Sequence, residues 1–236
     1  MQLFYCEHIE GDRVTLDREE STHAVRVLRR GVGDSINIID GRGTLFSATI
    51  VKADIKGCVV EIFSKITDYG ERNYKLHIAI APTKNIDRFE WFLEKSTELG
   101  CDHFTPLLCD RSERKVVKDE RSGKIIMSAV KQSLKAFLPH HDTLTRFDEF
   151  ISQEFEGYKR FIAHCSDEQS ERLLLRDQIK AGDKVVILIG PEGDFSPSEV
   201  QRALECGFLP ISLGTARLRT ETAGVMCASL LNIINQ

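Results

Sequence analysis

The chain has 236 residues, of which 42% are hydrophobic and 29% are charged. These proportions are ordinary for a soluble globular protein, exclude disorder as the main state, and allow one large domain or two small ones. The formal net charge of −4 at pH 7 argues against a protein that coats nucleic acid in bulk, although it leaves room for a local basic surface.

The first 70 residues have the pattern of short β-strands separated by tight turns. The predicted strands are 36–39, 45–51 and 58–63. Their spacing of about ten residues is typical of a small sandwich or barrel. One short helix is predicted over Thr22–Arg29, with Ser21 or Thr22 as its N-cap.

After the polar stretch 67–73, which we interpret as a linker, strands and helices alternate. The predicted strands are 75–81, 104–108, 160–165, 184–190 and 211–214. The predicted helices are 85–99, 120–138, 168–179, 197–206 and 220–234. This alternation predicts an α/β domain with a mainly parallel sheet. On the first of these helices, Trp91 and Phe92 are expected to lie in the core.

The most informative stretch is 189–199, which runs from a buried strand through a Gly/Pro loop into a helix. Ser196, Pro197 and Glu199 form a strong helix start with a capping box. Gly190 and Gly193 allow a ligand to approach the backbone closely, at the end of a strand where α/β sheets bind ligands. The alternative is a tight turn without a ligand.

A second loop of the same kind, 213–223, follows the next predicted strand. Two such loops on successive strands can form one pocket. Arg217 and Arg219 indicate that this pocket binds an anion or an RNA backbone. The alternative is a solvated arginine pair.

Several well-known sites are absent from the sequence. It contains no GxxxxGK[ST] loop, no GxSxG elbow and no HExxH motif, which excludes most hydrolases and nucleotidases. The seven cysteines form no CxxC pair and no zinc-like cluster, so we expect no metal and mostly buried thiols in a reducing cytosol. We find no signal peptide and no apolar stretch of membrane-spanning length, and expect a cytoplasmic protein with no membrane or DNA partner.

The two loops carry a resemblance to a known family. GPEGDFSPSE, followed by LGTARLRTETA, resembles the paired motifs of the 16S rRNA uridine-N3 methyltransferases, the RsmE family, which belong to the knotted α/β class called SPOUT. Upstream segments extend the resemblance over nearly the whole chain. They are 23–29, Lys84 with Asp87-Arg88, 94–100, and Gln132-Ser133 with Pro139.

The sequence departs from the family pattern at three places. Asp194 stands where the family usually has the second glycine of GPEGG. Ala216-Arg217 replaces the usual Arg-Ile, which displaces the arginine by one position. Lys131 and Lys135, one helical turn apart, replace the family's glutamate and arginine. The glycine framework and LRTETA are intact.

The resemblance implies an α/β architecture with two domains. Residues 1–70 would form a small PUA-like β-barrel that binds RNA, and residues 71–236 a SPOUT domain with a trefoil knot around the cofactor. It implies a homodimer that uses S-adenosyl-L-methionine to methylate N3 of a specific uridine in the 16S rRNA of the small ribosomal subunit.

The resemblance also implies roles for residues in both loops. We expect the main chain of both loops to hold the cofactor, through Ile189, Gly190, Pro191, Gly193, Leu213, Gly214, Thr215 and Leu218. Arg219 is the first candidate for catalysis, with an ion pair to Glu221 or Glu192 as the alternative. Glu192 is the second, with capping of nearby amides as the alternative. Glu221, in the first turn of the last helix, favours the dipole of that helix, with catalysis as the alternative.

RNA contacts are expected to be basic and spread over both domains. The candidates are Arg26, Arg29, Arg30, Lys84, Arg88, Lys131 and Lys135. A second basic run is Arg111, Arg114, Lys115, Lys118 and Arg121. Each alone has the alternative of a solvated face. His164, at the end of a predicted strand, is expected to be a core residue, with lining of the pocket as the alternative.

Two other functions stay open. A related SPOUT enzyme could act on tRNA or on another RNA site, and the N-terminal segment 23–34 and the predicted hairpin at 40–43 favour rRNA over these. A non-catalytic rRNA-binding assembly factor is supported only by Asp194 and Ala216.

Overall fold

The computed structural model of the protein describes residues 1–165 and 173–236. It divides into two compact units, one formed by 1–71 with 127–138 and the other by 72–126 with 139–236. The sequence placed the boundary after residue 70 and assigned 127–138 to the second domain, whereas the structure groups that segment with the N-terminal unit.

The N-terminal unit is built on one five-stranded sheet. Its strands are β1 (Leu3–Tyr5), β2 (Arg13–Thr15), β3 (Ser35–Ile39), β4 (Leu45–Lys52) and β5 (Val59–Ile66). Their order is β1-β3-β4-β5-β2, with β1 parallel to β3 and the other pairs antiparallel. Alternate residues face the core, as with Ile36 and Ile38 on β3 and Ala48 and Ile50 on β4.

A short helix in this unit begins earlier than the sequence predicts. It comprises α1 (Arg18–Thr22) and a π-helical turn (His23–Val27). Asp17 is its N-cap, because its Oδ1 accepts the N–H of Glu20 at 2.7 Å. The predicted cap Ser21 is wrong, since its hydroxyl donates to Leu16 O and accepts the N–H of Cys58.

The second unit contains a parallel sheet with helices. Its strands are β6 (Lys75–Ile80), β7 (His103–Leu108), β8 (His140–His141), β9 (Thr145–Arg146), β10 (Tyr158–Ala163), β11 (Leu173–Leu174), β12 (Lys184–Ile189) and β13 (Leu209–Ser212). The order is β11-β13-β10-β12-β6-β7-β8, β9 also pairs with β7, and these pairs are parallel. The predicted α/β class with a mainly parallel sheet is confirmed.

The remaining helices are α2 (Ile86–Glu98), α3 (Asp119–Gln132), α4 (Phe147–Ile151), α5 (Leu175–Gln178), α6 (Pro197–Glu205) and α7 (Thr220–Ile234). The predicted helix 120–138 is too long, because α3 ends at Gln132 and Leu134 takes a positive φ of 57°. Lys135 therefore lies beyond the helix. Of the predicted helix 168–179, residues 168–172 lie outside the described residues and the rest forms β11 and α5.

The core of the second unit lies between the sheet and its helices. The strand β12 is buried from Val185 to Ile189, and α7 packs against α2 at Gly224. Phe92 is fully buried as expected, but the prediction for Trp91 is wrong, since 44% of its surface is exposed. Among the described residues, no helix is long and apolar enough to cross a membrane.

Candidate active site

A cavity of about 1220 Å³ lies at the carboxyl ends of β10, β12 and β13. Both loops identified in the sequence line it. The structure therefore brings together all the predicted cofactor-binding and catalytic residues: Ile189, Gly190, Pro191, Glu192, Gly193, Leu213, Gly214, Thr215, Leu218 and Arg219. Parallel strands end at the same edge of a sheet, which is why loops distant in sequence meet here.

The first loop turns tightly over a buried phenylalanine. A Cβ at Gly190 would lie 3.1 Å from both the ring and the backbone nitrogen of Phe195, so this close approach requires glycine. The helix start is as predicted: Ser196 accepts the N–H of Glu199, and Glu199 Oε2 accepts the N–H of Ser196 at 2.8 Å. Glu199 is fully buried, and its other oxygen accepts the N–H of Asp110.

The structure explains how aspartate can occupy position 194, where the family usually has glycine. Its φ is +62°, in the left-handed region that favours glycine and that aspartate tolerates better than most residues. The carboxylate accepts the N–H of Phe195 and the N–H of Cys165, both at 2.8 Å. The side chain therefore ties the first loop to the end of β10.

The second loop is tied directly to the first. Thr220 is buried, and its hydroxyl donates to the carbonyl of Gly190 at 3.1 Å. Gly214 has a φ of +128°, which a residue with a side chain rarely adopts. The two loops thus form one wall of the cavity with much main chain on its surface.

Exposed arginines stand at this cavity without partners. The guanidinium groups of Arg217 and Arg219 have no hydrogen bond or ion pair to any described residue. The expected alternative, an ion pair of Arg219 with Glu221 or Glu192, is therefore not observed. Arg88, which also lines the cavity, has its Nε 3.9 Å from Glu221 Oε1.

Glu192 is exposed and already has one hydrogen bond. Its Oε1 accepts the backbone N–H of Lys84 at 2.9 Å, which is the amide-capping role that the sequence left open. The Lys84 ammonium pairs with Glu113 at 2.7 Å, and this contact raises the pKa of the lysine.

The other basic candidates fall into two groups. Arg26, Arg29 and Arg30 are exposed and have no side-chain partner among the described residues. Lys131 is held in a largely buried ion pair with Glu20 at 2.6 Å, which leaves it poorly available to a phosphate, and Lys135 is partly exposed.

Three of the five residues in the second basic run are bound to other groups of the protein. Arg111 donates to the carbonyl of Gly193 at 2.8 Å, Arg114 donates to the carbonyls of Thr83 and Lys84, and Arg121 pairs with Glu90. Only Lys115 and Lys118 of this run are exposed without a partner among the described residues.

One group of metal-ligand side chains occurs among the described residues: His77, His103 and Asp142. The two rings stack 3.7 Å apart at 5°, so their nitrogen lone pairs do not converge on one point. Thr105 donates to Asp142, so His77 Nε2 must donate to Thr105, and His103 Nε2 donates to Asp142 at 2.8 Å. Because Nε2 of His77 and Nε2 of His103 both carry protons, neither of these atoms has a lone pair for a metal, and the group is a hydrogen-bonded stack. Burial lowers the pKa of His77 to about 3.

Of the residues at the end of β10 that line the cavity, sequence reasoning named His164 as an alternative and missed its two neighbours. Ala163, His164 and Cys165 at the end of this strand line the cavity, together with the ring of Phe195. His164 is buried, as expected, and it also lines the cavity. The strand order that places β10 between β12 and β13 has no signal in local sequence.

Comparison with known proteins identifies the family. A family model described as an RNA methyltransferase domain matches residues 70–232, and a model described as an RNA methyltransferase PUA domain matches residues 16–63. The chain belongs to this RNA methyltransferase family. The resemblance seen in its motifs is confirmed by similar proteins. A Bacillus subtilis protein named ribosomal RNA small subunit methyltransferase E is 28% identical, covering 94% of this chain and 91% of the relative.

Solved structures agree with this assignment. The crystal structure of a probable rRNA-methyltransferase from Porphyromonas gingivalis is 41% identical, with a TM-score of 0.93, covering 100% of this chain and 98% of that one. A ribosomal RNA small subunit methyltransferase E from Neisseria gonorrhoeae, bound to S-adenosyl methionine, is 26% identical, with a TM-score of 0.88 and the same coverage. The RNA methyltransferase is therefore similar to these proteins over both of its units.

Proposed function

We propose that this RNA methyltransferase transfers a methyl group from S-adenosyl-L-methionine to N3 of a specific uridine in 16S rRNA of the small ribosomal subunit. The observation that carries the proposal is the cavity in which two glycine loops meet beside Arg217 and Arg219, which no described residue holds. The names of its relatives support rRNA as the substrate. The intact GPEG and LRTETA segments, both on this cavity, favour an enzyme over a non-catalytic assembly factor.

The residues of the cavity fit S-adenosylmethionine. A volume of about 1220 Å³ accommodates a nucleoside with an amino acid attached, since ligand pockets are typically about 300–1,000 Å³. The main-chain groups of 189–193 and 213–218 would hold it, because adenine and ribose can be bound by backbone amides and carbonyls. The cofactor supplies an electrophilic methyl group on a positively charged sulfur.

The charged side chains would serve the acceptor. Arg219 has no ion pair with any residue that the structure describes, so its charge is available to stabilise negative charge on uracil oxygens or to bind an adjacent phosphate. Glu192 has one oxygen bound to the Lys84 amide, and the other would orient the base or the cofactor amine. Positioning should supply much of the rate, since methyl transfer is an in-line displacement.

RNA would be bound by both units. Arg26, Arg29 and Arg30 on the PUA-like unit are exposed and have no side-chain partner among the described residues, which leaves them available to phosphates. We keep Lys84, Arg88 and Lys135 as further contacts, and leave Lys131 to its ion pair with Glu20. A homodimer, a trefoil knot and a cytoplasmic location remain predictions from the family resemblance.

Nucleoside mass spectrometry tests the proposal. Small-subunit rRNA, naked and assembled, is incubated with S-adenosylmethionine with and without the protein, then digested and analysed. N3-methyluridine should appear only with the protein. Methylation of another atom, or of tRNA alone, would contradict the uracil-N3 assignment, and binding of rRNA without saturable cofactor binding would favour the assembly factor.

A further inference from the structure

A second cavity adjoins the cofactor cavity. Its volume is about 590 Å³, and it lies at the first turns of α2 and α7. It is lined by Asp87, Arg88, Trp91, Arg217, Leu218, Arg219, Glu221 and Thr222. Four of these residues, Arg88 and 217–219, also line the cofactor cavity, so the two spaces share a wall. A methyl acceptor must lie beside the methyl donor, and this second cavity is beside it.

Glu221 is the unexplained group in this cavity. The residue is only 7% exposed, and its Oε2 is buried without a hydrogen-bond partner among the described residues. Its other oxygen is 3.9 Å from Arg88 Nε, too far for a hydrogen bond. Buried carboxylate oxygens are normally satisfied, and leaving one without a donor is costly. A ligand that brings a hydrogen-bond donor into the cavity would satisfy it.

The other walls suit a planar heterocycle with oxygen acceptors. Trp91 is the only tryptophan of the chain, and its indole is 44% exposed where it lines this cavity. Aromatic side chains stack with nucleobases. Arg217 and Arg219 are exposed and unpaired among the described residues, so their guanidinium groups can donate to carbonyl oxygens.

We infer that this second cavity receives the target uracil, and that Glu221 is the carboxylate that accepts the proton from its N3. The inference rests on the proposed function, since a uracil methylated at N3 must lose the N3 proton. Uracil offers a matching pattern: an N–H donor for Glu221 between two carbonyl oxygens for the arginines. Glu221 thereby gains a role besides its favourable position in the first turn of α7.

The N3 proton moves to Oε2 of Glu221, and the N3 lone pair forms a bond to the methyl carbon. The carbon–sulfur bond breaks, its electron pair stays on sulfur, and the sulfur loses its positive charge. Negative charge that develops on the uracil oxygens is stabilised by Arg219 and Arg217. The charged groups that face Glu221 are these two arginines with Asp87 and Arg88 of α2.

The variant Glu221→Gln keeps the size of the side chain and removes the proton acceptor. We expect single-turnover methylation at pH 7 to fall about 100-fold or more, as for removal of a general base. S-adenosylmethionine affinity, measured by calorimetry, should stay within about twofold. The loss should shrink as pH rises, because uracil that ionises in solution no longer needs a base. Glu221→Asp should restore part of the rate.

A matched control separates this role from the helix dipole. Glu120 lies in the first turn of α3, is exposed and pairs with Lys124, so Glu120→Gln also removes a charge from a helix start. This control should leave the rate and its pH profile unchanged. If Glu221 were merely structural, its variant would lose thermal stability and cofactor affinity, with a rate defect that is equal at all pH values.

The position of the base has a readout that does not depend on activity. An rRNA fragment with 5-bromouracil at the target position should quench the fluorescence of Trp91 on binding, because bromine quenches indole at contact distance. All tryptophan emission comes from this cavity. Quenching should persist in Glu221→Gln, and the same fragment with unmodified uracil should quench less. Binding of the fragment without quenching would refute the placement of the base.

The outcomes distinguish this inference from the function on which it rests. N3-methyluridine from the wild type together with a slow, pH-dependent Glu221→Gln supports both. N3-methyluridine from the wild type together with an undiminished Glu221→Gln overturns the role of Glu221 and leaves the function standing. A wild-type product methylated at another atom, or no product on any rRNA substrate, overturns both.

Discussion

The packing of α7 against α2 can be tested by making one substitution in two helices. Gly224 lies in α7 at its contact with Phe92, and Gly123 lies on the exposed side of α3. A Cβ at Gly224 would lie 2.5 Å from Cδ2 of Phe92 and 3.1 Å from Cδ1 of Ile80. A Cβ at Gly123 would have no atom within 4 Å. Gly224→Ala and Gly123→Ala should therefore have opposite effects on stability.

The size of each effect follows from two competing contributions. Replacing glycine by alanine inside a helix stabilises by about 0.5–1 kcal/mol, because the unfolded chain loses freedom. Gly123→Ala should show this gain alone. At Gly224 the new methyl group overpacks a core in which Phe92 is fully buried against Phe89 and Phe104, so the ring cannot move freely. Overpacking costs about 1–3 kcal/mol, and a contact as close as 2.5 Å places the cost at the upper end of that range, so the net loss should be about 2 kcal/mol.

Urea unfolding followed by tryptophan fluorescence measures both variants. The only tryptophan, Trp91, lies on α2 next to Phe92, so its emission reports unfolding of this region. The two midpoints should move in opposite directions, with equal slopes. A Gly224→Ala variant as stable as the wild type would refute the close-packing argument, and a destabilised Gly123→Ala would refute the use of helix propensity here.

Three further predictions concern loops, acid stability and RNA. Asp194→Gly should weaken cofactor binding and stability by about 1–3 kcal/mol, because the loss of two charged hydrogen bonds outweighs the relief of the positive φ. Asp194→Asn should lose less affinity and stability, and a more stable Asp194→Gly would contradict this prediction. Burial lowers the pKa of His77 from 6.5 to about 3, so the unfolded chain takes up that proton first and stability is lost as pH falls from 6.5 toward 3. At pH 5, this proton uptake lowers the free energy of unfolding by about 2 kcal/mol. The urea midpoint of His77→Gln should therefore depend less on pH than that of the wild type, whereas substitution of the exposed His8 by Gln should leave the pH dependence unchanged. Arg26→Ala with Arg29→Ala should weaken rRNA binding and lower the slope of log affinity against log salt by about 2; an unchanged slope would exclude both from the RNA surface.

Much of the fold could be predicted because local signals agree with the final structure. The helix start at Ser196 and Pro197 carries a complete capping box, and α7 has the predicted bounds Thr220–Ile234. The end of α3 could not be predicted, because the following segment is held by long-range contacts. Leu138 donates to Gly41, and the ring of Phe137 fills the space over Gly43. Such contacts have no trace in helical periodicity.

The candidate site was predicted where it depends on motifs and missed where it depends on strand order. Both loops were found because glycines and caps mark the end of each strand. Ala163 and Cys165 at the end of β10 were missed, since the position of β10 between β12 and β13 follows from sheet topology. The exposure of Trp91 could have been predicted from helical periodicity, because Phe89, Phe92 and Leu93 fall on one apolar face of α2 and Trp91 does not.

The arginines around the cavity show why a count of basic residues is a poor guide to RNA contacts. Arg111 and Arg114 donate to loop carbonyls at Gly193, Thr83 and Lys84, so they hold the main chain in place. Arg217 and Arg219 lie on the same cavity, and no described residue holds their guanidinium groups. Because the loop is held in place, little conformational entropy is lost when these two arginines bind a substrate. The structure thus separates arginines that build the site from arginines that remain available to the substrate.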